Sequence, residues 1–240
     1  MASSDPLIGQ TGDMRGVLFD IGGVFLVPDR GRIVQALGDP MEGLSDTAFD
    51  RAHFEGMHAL DVTNASGDEE QRVYLDGYLT SLGIPGADRE ATIDAIRPLW
   101  SEPSPDLWQR ILSGSISGLH SLGDANLSLG MVSNSDGHAE EALVRNGICQ
   151  VGPGPGVSVL TIVDSFVVGV AKPDPAIFDF ALPALALDPL EVIYVGDSVK
   201  YDVRSAGAAG MTPLHMDPFD LCREADHLHV AGVGDVLHHV

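Results

Sequence analysis

Four short stretches of this 240-residue chain place polar side chains where apolar runs end. Residues 17–19 climb to Asp20 and break on Gly22 and Gly23. Residues 127–132 run into Ser133 and Asn134, and residues 192–195 run into Gly196, Asp197 and Ser198. Lys172 stands just before Pro173, Asp174 and Pro175, where a helical segment begins. Short runs of Val, Leu, Ile and Phe read as buried parallel strands, and open α/β sheets bind ligands beyond the carboxyl ends of such strands. A carboxylate at Asp20 is therefore a candidate metal ligand or nucleophile; taken alone, an Asp capping a turn is the better explanation. The partners favour chemistry. Asp20 and Asp197 offer hard oxygens to Mg²⁺, which takes one or two carboxylates with water and a phosphate. Lysine occurs only at 172 and 200; Lys172 would neutralise a phosphoryl group, and Ser133 would donate to one of its oxygens. Each also has a plain alternative: a turn hydroxyl for Ser133, a helix cap for Asp197, an exposed helical residue for Asp202, a surface cation for Lys172.

These residues need a scaffold that alternates strands and helices. Beyond residue 105 the pattern predicts a helix over 106–122, a strand over 127–132, a helix over 138–146, a strand over 157–163 and an extended piece at 166–168. A helix over 175–186, a strand over 192–195, a helix ending at Gly210 and a strand over 212–216 follow. Such alternation gives an α/β fold: a parallel sheet with right-handed crossovers and helices on both faces. Gly152-Pro153-Gly154-Pro155-Gly156 is a poor anion cradle, because two of its residues lack an N–H, and reads as a surface loop. Between 31 and 99 no strand run occurs. Helices are expected over 31–37, 45–60, 68–82 and 87–99, an all-helical insertion of roughly seventy residues, with a proline-rich return linker at 101–105. The expected division is a flexible leader over 1–13, a core of 14–27 with 106–240, and a helical insertion over 28–105.

Composition narrows the partners. Thirteen Lys and Arg against thirty-five Asp and Glu give a formal net charge of −22, which repels nucleic acid and anionic membranes. No run reaches the length of a membrane span, and the N-terminus lacks a signal pattern. Cys149 and Cys222 match neither a disulfide framework nor a paired-cysteine metal motif, which suits a reducing, cytoplasmic setting.

The motifs Phe19-Asp20-Ile21-Gly22-Gly23-Val24, Val132-Ser133-Asn134, Lys172-Pro173-Asp174-Pro175 and Val195-Gly196-Asp197-Ser198 with Asp202 resemble, in order and separation, the four motifs of the haloacid dehalogenase (HAD) superfamily. The insertion is similar to the helical C1 cap of subfamily I, and the resemblance implies a Rossmann-like core. It further implies that Asp20 attacks phosphorus to form an aspartyl-phosphate. Mg²⁺ would be held by Asp20, Asp197 and the Gly22 backbone carbonyl, with Asp202 a second ligand or an orienter. Ser133, Asn134, Lys172 and Gly23 would bind the phosphoryl group. The substrate would be a small phosphorylated metabolite, since a cap closing over the site excludes bulky ligands.

One position departs from the pattern. Family phosphatases carry an acid two residues after the nucleophile, where this chain has Gly22, and general acid catalysis is typically worth about 10²–10⁴ in rate. The substrate then has a good leaving group, another acid substitutes, or the protein binds ligands without turnover as a regulatory member of the fold. Asp29 is the nearest candidate substitute, although a loop or helix-capping role is the better reading of it. Dehalogenase and phosphomutase activities fit less well: the first usually places an aromatic residue at position 22, and the second relies on the absent acid.

Other features read as structural. Nine histidines include His227-Leu228-His229 and His238-His239, expected to be exposed or internally satisfied rather than a zinc site. Arg51, His53, His58 and Asp61 could face a substrate from the insertion, and a solvated helix face accounts for them too. Trp100 and Trp108 flank the return linker and are expected to pack at the hinge.

Overall fold

The computed structural model describes residues 13–38, 41, 43–63 and 65–240, so the leader expected over 1–13 lies almost wholly outside the described residues. The first strand, β1 (Gly16–Phe19), delivers Asp20 and is followed by β2 (Leu26–Pro28). Helices α1 (Arg30–Leu37), α2 (Asp46–Asp61), α3 (Asp68–Ser81) and α4 (Arg89–Ile96) come next. The chain returns through a 3₁₀ stretch, Arg97–Ser101, the single turn α5 (Ser104–Leu107) and β3 (Trp108–Ile111). It then alternates: α6 (Ser115–Asp124), β4 (Ser128–Ser133), α7 (Ala139–Arg145), β5 (Cys149–Val151), β6 (Val157–Val159), β7 (Thr161–Asp164) and α8 (Ser165–Val168). After a 3₁₀ stretch at Pro175–Phe180 come α9 (Leu182–Leu185), β8 (Val192–Gly196), α10 (Arg204–Ala208), β9 (Thr212–Met216) and β10 (Leu228–Val230).

Six strands form one sheet in the order β10-β9-β8-β1-β4-β7, and every pairing in it is parallel. The fold is α/β with helices around a central parallel sheet. Both faces of the sheet are covered because successive side chains alternate between them. Val17, Phe19, Met131, Ile193 and Val195 enter one apolar cluster, while Leu18, Val132, Val192 and Tyr194 enter another with Phe178 and Ala206. Helices α1 to α4 carry a cluster of their own that includes Ile33, Phe49, Leu75, Tyr78 and Ile93. Serine and aspartate set two of its starts: Ser45 Oγ accepts from Ala48 N at 3.2 Å, and Asp29 Oδ1 accepts from Arg32 N at 2.9 Å. Among the described residues no helix is long and apolar enough to cross a membrane.

Three local expectations need correction. The helix expected over 106–122 is interrupted by β3, which pairs antiparallel with β2, and Leu112 N donates to Phe25 O at 2.9 Å. A partner strand distant in sequence overrides the helical spacing there, and α6 starts only after Gly114, whose φ is 79°. The expected extended piece at 166–168 is the helical turn α8, because Asp164 accepts from Phe166 N at 2.9 Å and caps it. The strand expected over 157–163 divides into β6 and β7, which join different sheets.

Candidate functional site

The carboxyl ends of β1, β4 and β8 converge on one buried ammonium. Lys172 Nζ lies 2.9 Å from Asp20 Oδ1 and 2.6 Å from Asp202 Oδ1, and it donates to Tyr194 OH at 2.8 Å. The Tyr194 hydroxyl in turn donates to Val132 O at 2.9 Å. Main-chain geometry positions these groups. Asp20 N donates to Val195 O at 2.8 Å, which extends the sheet ladder by one residue. Asn134 clasps the backbone of Lys172, accepting from its N–H and donating to its carbonyl, both at 2.8 Å. Asp202 Oδ2 accepts from Ser198 N at 3.0 Å.

Two glycines let the carboxylates approach so closely. Gly23 has φ 64°, and a Cβ there would stand 1.9 Å from Asp197 Oδ2; a Cβ on Gly196 would stand 2.2 Å from the Asp202 carboxyl carbon. Neither position accommodates a side chain.

Charge is unbalanced. Asp20, Asp197 and Asp202 are all buried and present oxygens within 4.8 Å of one another, against the single ammonium of Lys172. Burial pushes the Asp20 carboxyl above its ordinary value, and Lys172 offsets this only in part. Burial opposes the Lys172 charge, but Asp20 and Asp202 together outweigh it and hold the ammonium above its ordinary value. Asp20 Oδ1 is buried without an aligned hydrogen bond, although Lys172 Nζ stands within ion-pair distance. Surplus buried negative charge and a hard-oxygen donor set fit a divalent cation such as Mg²⁺. Asp20, Asp197 and the Gly22 carbonyl would hold it. Both oxygens of Asp202 are already engaged by Lys172 and Ser198 N, which suits orientation of the lysine better than direct ligation.

A family model for haloacid dehalogenase-like hydrolases matches residues 14–210. The chain belongs to that family. It is 32% identical over 130 residues to haloacid dehalogenase-like hydrolase domain-containing protein 3 of Mus musculus, covering 54% of this chain and 48% of that protein. It is 37% identical over 82 residues to phosphoserine phosphatase of Thermus thermophilus, covering 32% of this chain and 33% of that protein. The matched segments thus span about half and about a third of those relatives' lengths. Among solved structures, the HAD-hydrolase YfnB from Bacillus subtilis bound to magnesium superposes with a TM-score of 0.59 at 18% identity. That match covers 95% of this chain and 98% of YfnB, and shows the shared fold. A HAD phosphatase and an L-2-haloacid dehalogenase superpose with TM-scores of 0.55 and 0.54.

In this HAD-family chain the helical insertion also reaches the site. His53 on α2 is buried, with Nε2 2.8 Å from Asp197 Oδ2 and Nδ1 3.0 Å from Tyr74 OH. At the end of the same helix, Asp61 accepts from Ser198 Oγ at 2.7 Å, Val199 N at 2.8 Å and Lys200 N at 2.9 Å. Lys200 Nζ donates to Ala65 O at 2.8 Å and Glu70 Oε1 at 2.6 Å, completing the clasp. Arg51 instead pairs with Glu55 on the helix surface at 3.0 Å.

Between insertion and sheet lies a cavity of 490 Å³ whose lining includes Asp20, Gly22, His53, Ser133, Trp100 and Trp108. A second cavity of 330 Å³ shares Asp20, Asn134, Asp197 and both tryptophans, and reaches Lys172. The tryptophans, expected to pack at a hinge, thus line both spaces. Trp108 Cζ3 lies 3.3 Å from where a Cβ on Gly22 would stand, so the indole covers the position of the missing acid. Asp29 lines neither cavity, its carboxylate being committed to the N-terminus of α1. Sequence reasoning missed Tyr194, although a hydroxyl inside an apolar strand run signals a buried polar contact.

Proposed function

We propose that the protein hydrolyses the phosphate of a small metabolite, with Asp20 as nucleophile and Mg²⁺ as cofactor. The observation that carries this is the approach of the Asp20 carboxylate to the buried Lys172 ammonium, 2.9 Å apart beside Asp197 at the floor of the cleft. Asp20 would form a bond to phosphorus as the substrate's P–O bond breaks, and water would then cleave the aspartyl-phosphate, releasing inorganic phosphate and the free carboxylate. Lys172 and Ser133 would hold the non-bridging oxygens. The cation, when bound, supplies the positive charge that lets an anionic nucleophile and an anionic phosphoryl group meet.

No acid projects from position 22, and Asp29 is engaged elsewhere. Leaving groups that depart without protonation, such as those of acyl phosphates or anomeric sugar phosphates, suit this site best. The insertion acts as the cap, and a 490 Å³ space suits a small ligand rather than a macromolecule. Buried free cysteines at 149 and 222 suit a reducing, cytoplasmic setting.

A second reading, ligand binding without turnover, is favoured by the contact of His53 with Asp197, which takes one oxygen of a metal-ligand carboxylate. Assays with acetyl phosphate and p-nitrophenyl phosphate, with and without Mg²⁺, beside Asp20→Asn, separate the two. Metal-dependent turnover lost in the variant supports the hydrolase. Equal, negligible rates with saturable phosphate binding support the binder. Metal-free release of halide from 2-haloacids would overturn the phosphatase assignment.

A further inference from the structure

At the β9–β10 edge, a second group of titratable side chains lies outside the hydrolytic constellation. His215 on β9, Cys222 in the connecting loop, His227 and His229 on β10 each offer one donor atom to a space in which all four lie within 4.8 Å of one another. Three of these residues are buried and His229 is half-buried. Their spacing along the chain follows no familiar metal motif.

The outward contacts decide what the inner ring nitrogens carry. His215 Nε2 faces the Asp197 carbonyl at 3.3 Å, His227 Nδ1 faces the Asp226 carboxylate at 2.7 Å, and His229 Nδ1 faces the Asp217 carboxylate at 3.5 Å. The carbonyl and the Asp226 carboxylate can only accept, and the Asp217 carboxylate beside His229 Nδ1 draws a proton to the same side, so each ring places its proton on its outer nitrogen. The inner nitrogens are then bare lone pairs. His215 Nδ1 and His227 Nε2 stand 3.2 Å apart, Cys222 Sγ lies 3.8 Å from His227 Nε2, and His229 Nε2 is buried with no hydrogen-bond partner. One proton shared between two of these rings would still leave His229 Nε2 without a donor. A cation in their midst satisfies every donor at once.

We propose that His215, Cys222, His227 and His229 bind Zn²⁺ as a structural site. Separations of 3.2 and 3.8 Å suit ligands of a tetrahedral ion with Zn–N of about 2.0–2.1 Å and Zn–S of about 2.3 Å. Imidazoles with a thiolate select zinc over magnesium, and an acceptor facing the outer nitrogen of each ring is the usual support of metal-bound histidine. Four protein ligands leave no open position for catalysis. Binding releases the Cys222 thiol proton to solvent. The ion ties residues 217–227, which contain no helix or strand, to β9 and β10, and through His215 it buttresses the Asp197 carbonyl.

The test uses the intact protein without a histidine tag. Metal analysis after dialysis into Mg²⁺ buffer is expected to find about one zinc per chain, retained in Cys149→Ser and in Asp20→Asn and lost in Cys222→Ser and His229→Gln. Co²⁺ added to zinc-stripped protein is expected to give tetrahedral d–d bands and a thiolate charge-transfer band. Persistence of that band in Cys149→Ser assigns it to Cys222, the other cysteine of the chain, even if Cys222→Ser does not fold. Absence of both zinc and the cobalt band from folded wild type, or survival of the band in Cys222→Ser, overturns the site.

Discussion

The sheet edge and the helical insertion meet at Asp197 and grip it by different means. From the sheet side the main chain does the placing: Gly23 yields its side-chain volume to the Asp197 carboxylate, and strand pairing fixes Asp20 one residue beyond β1. From the insertion, the tips of His53 and Asp61 reach across to Asp197 and to the backbone after it. Groups set by the main chain keep their geometry when neighbours change, whereas groups set by side-chain tips depend on the two layers staying together. Substitutions on the sheet side should therefore abolish chemistry, and those on the insertion should loosen closure.

Asp20→Asn gives the largest expected effect, a fall in turnover of roughly 10³-fold or more. The melting temperature should hold, because the amide removes a carboxylate that burial disfavours; retained turnover would break the contrast at its strongest point. Lys172→Met should cost about 3–5 kcal/mol in urea unfolding, since it leaves Asp20 and Asp202 buried without a counter-charge. A loss below about 1 kcal/mol would show that the two carboxylates are held by something other than the lysine. Gly22→Asp combined with Trp108→Ala should raise turnover of alkyl phosphates about 10²-fold. Gly22→Asp alone should gain less, because the indole stands in the way; equal gains would acquit Trp108. The smallest effect belongs to the insertion. Asp61→Ala removes the acceptor of three donors and should cost about 1–3 kcal/mol, with KM rising more than kcat falls. An equal loss in kcat would move Asp61 to the chemical side of the divide.

How much of this is legible in the sequence follows the same division. Asp20, Ser133 and Asp197 stand out because an apolar run ending in a polar residue is a local pattern, and strand ends deliver such residues to one edge; Lys172 stands out as one of two lysines, beside a proline that opens a helical segment. The contributions of His53 and Asp61 are hidden, since a polar residue on an amphipathic helix looks solvated until its neighbour across the cleft is known. β3 is hidden for a related reason, as its partner β2 lies far back in the chain, Leu26 pairing with Ile111 and Pro28 with Trp108. The histidines at 215, 227 and 229 with Cys222 share no period, and only the pairing of β9 with β10 and the course of residues 217–227 collect them. Asp29 shows the opposite case: the capping role that the sequence favours is the one observed, through Arg32 three residues on, and it outweighs nearness to the site in sequence.

The notches at Gly23 and Gly196 also bear on how ligand preference can vary. With carboxylates filling the volumes where side chains would grow, the base of the cleft has no room to be recontoured residue by residue. Discrimination among ligands must then be written into its roof, where Met57, Trp100 and Trp108 overhang the same cavities.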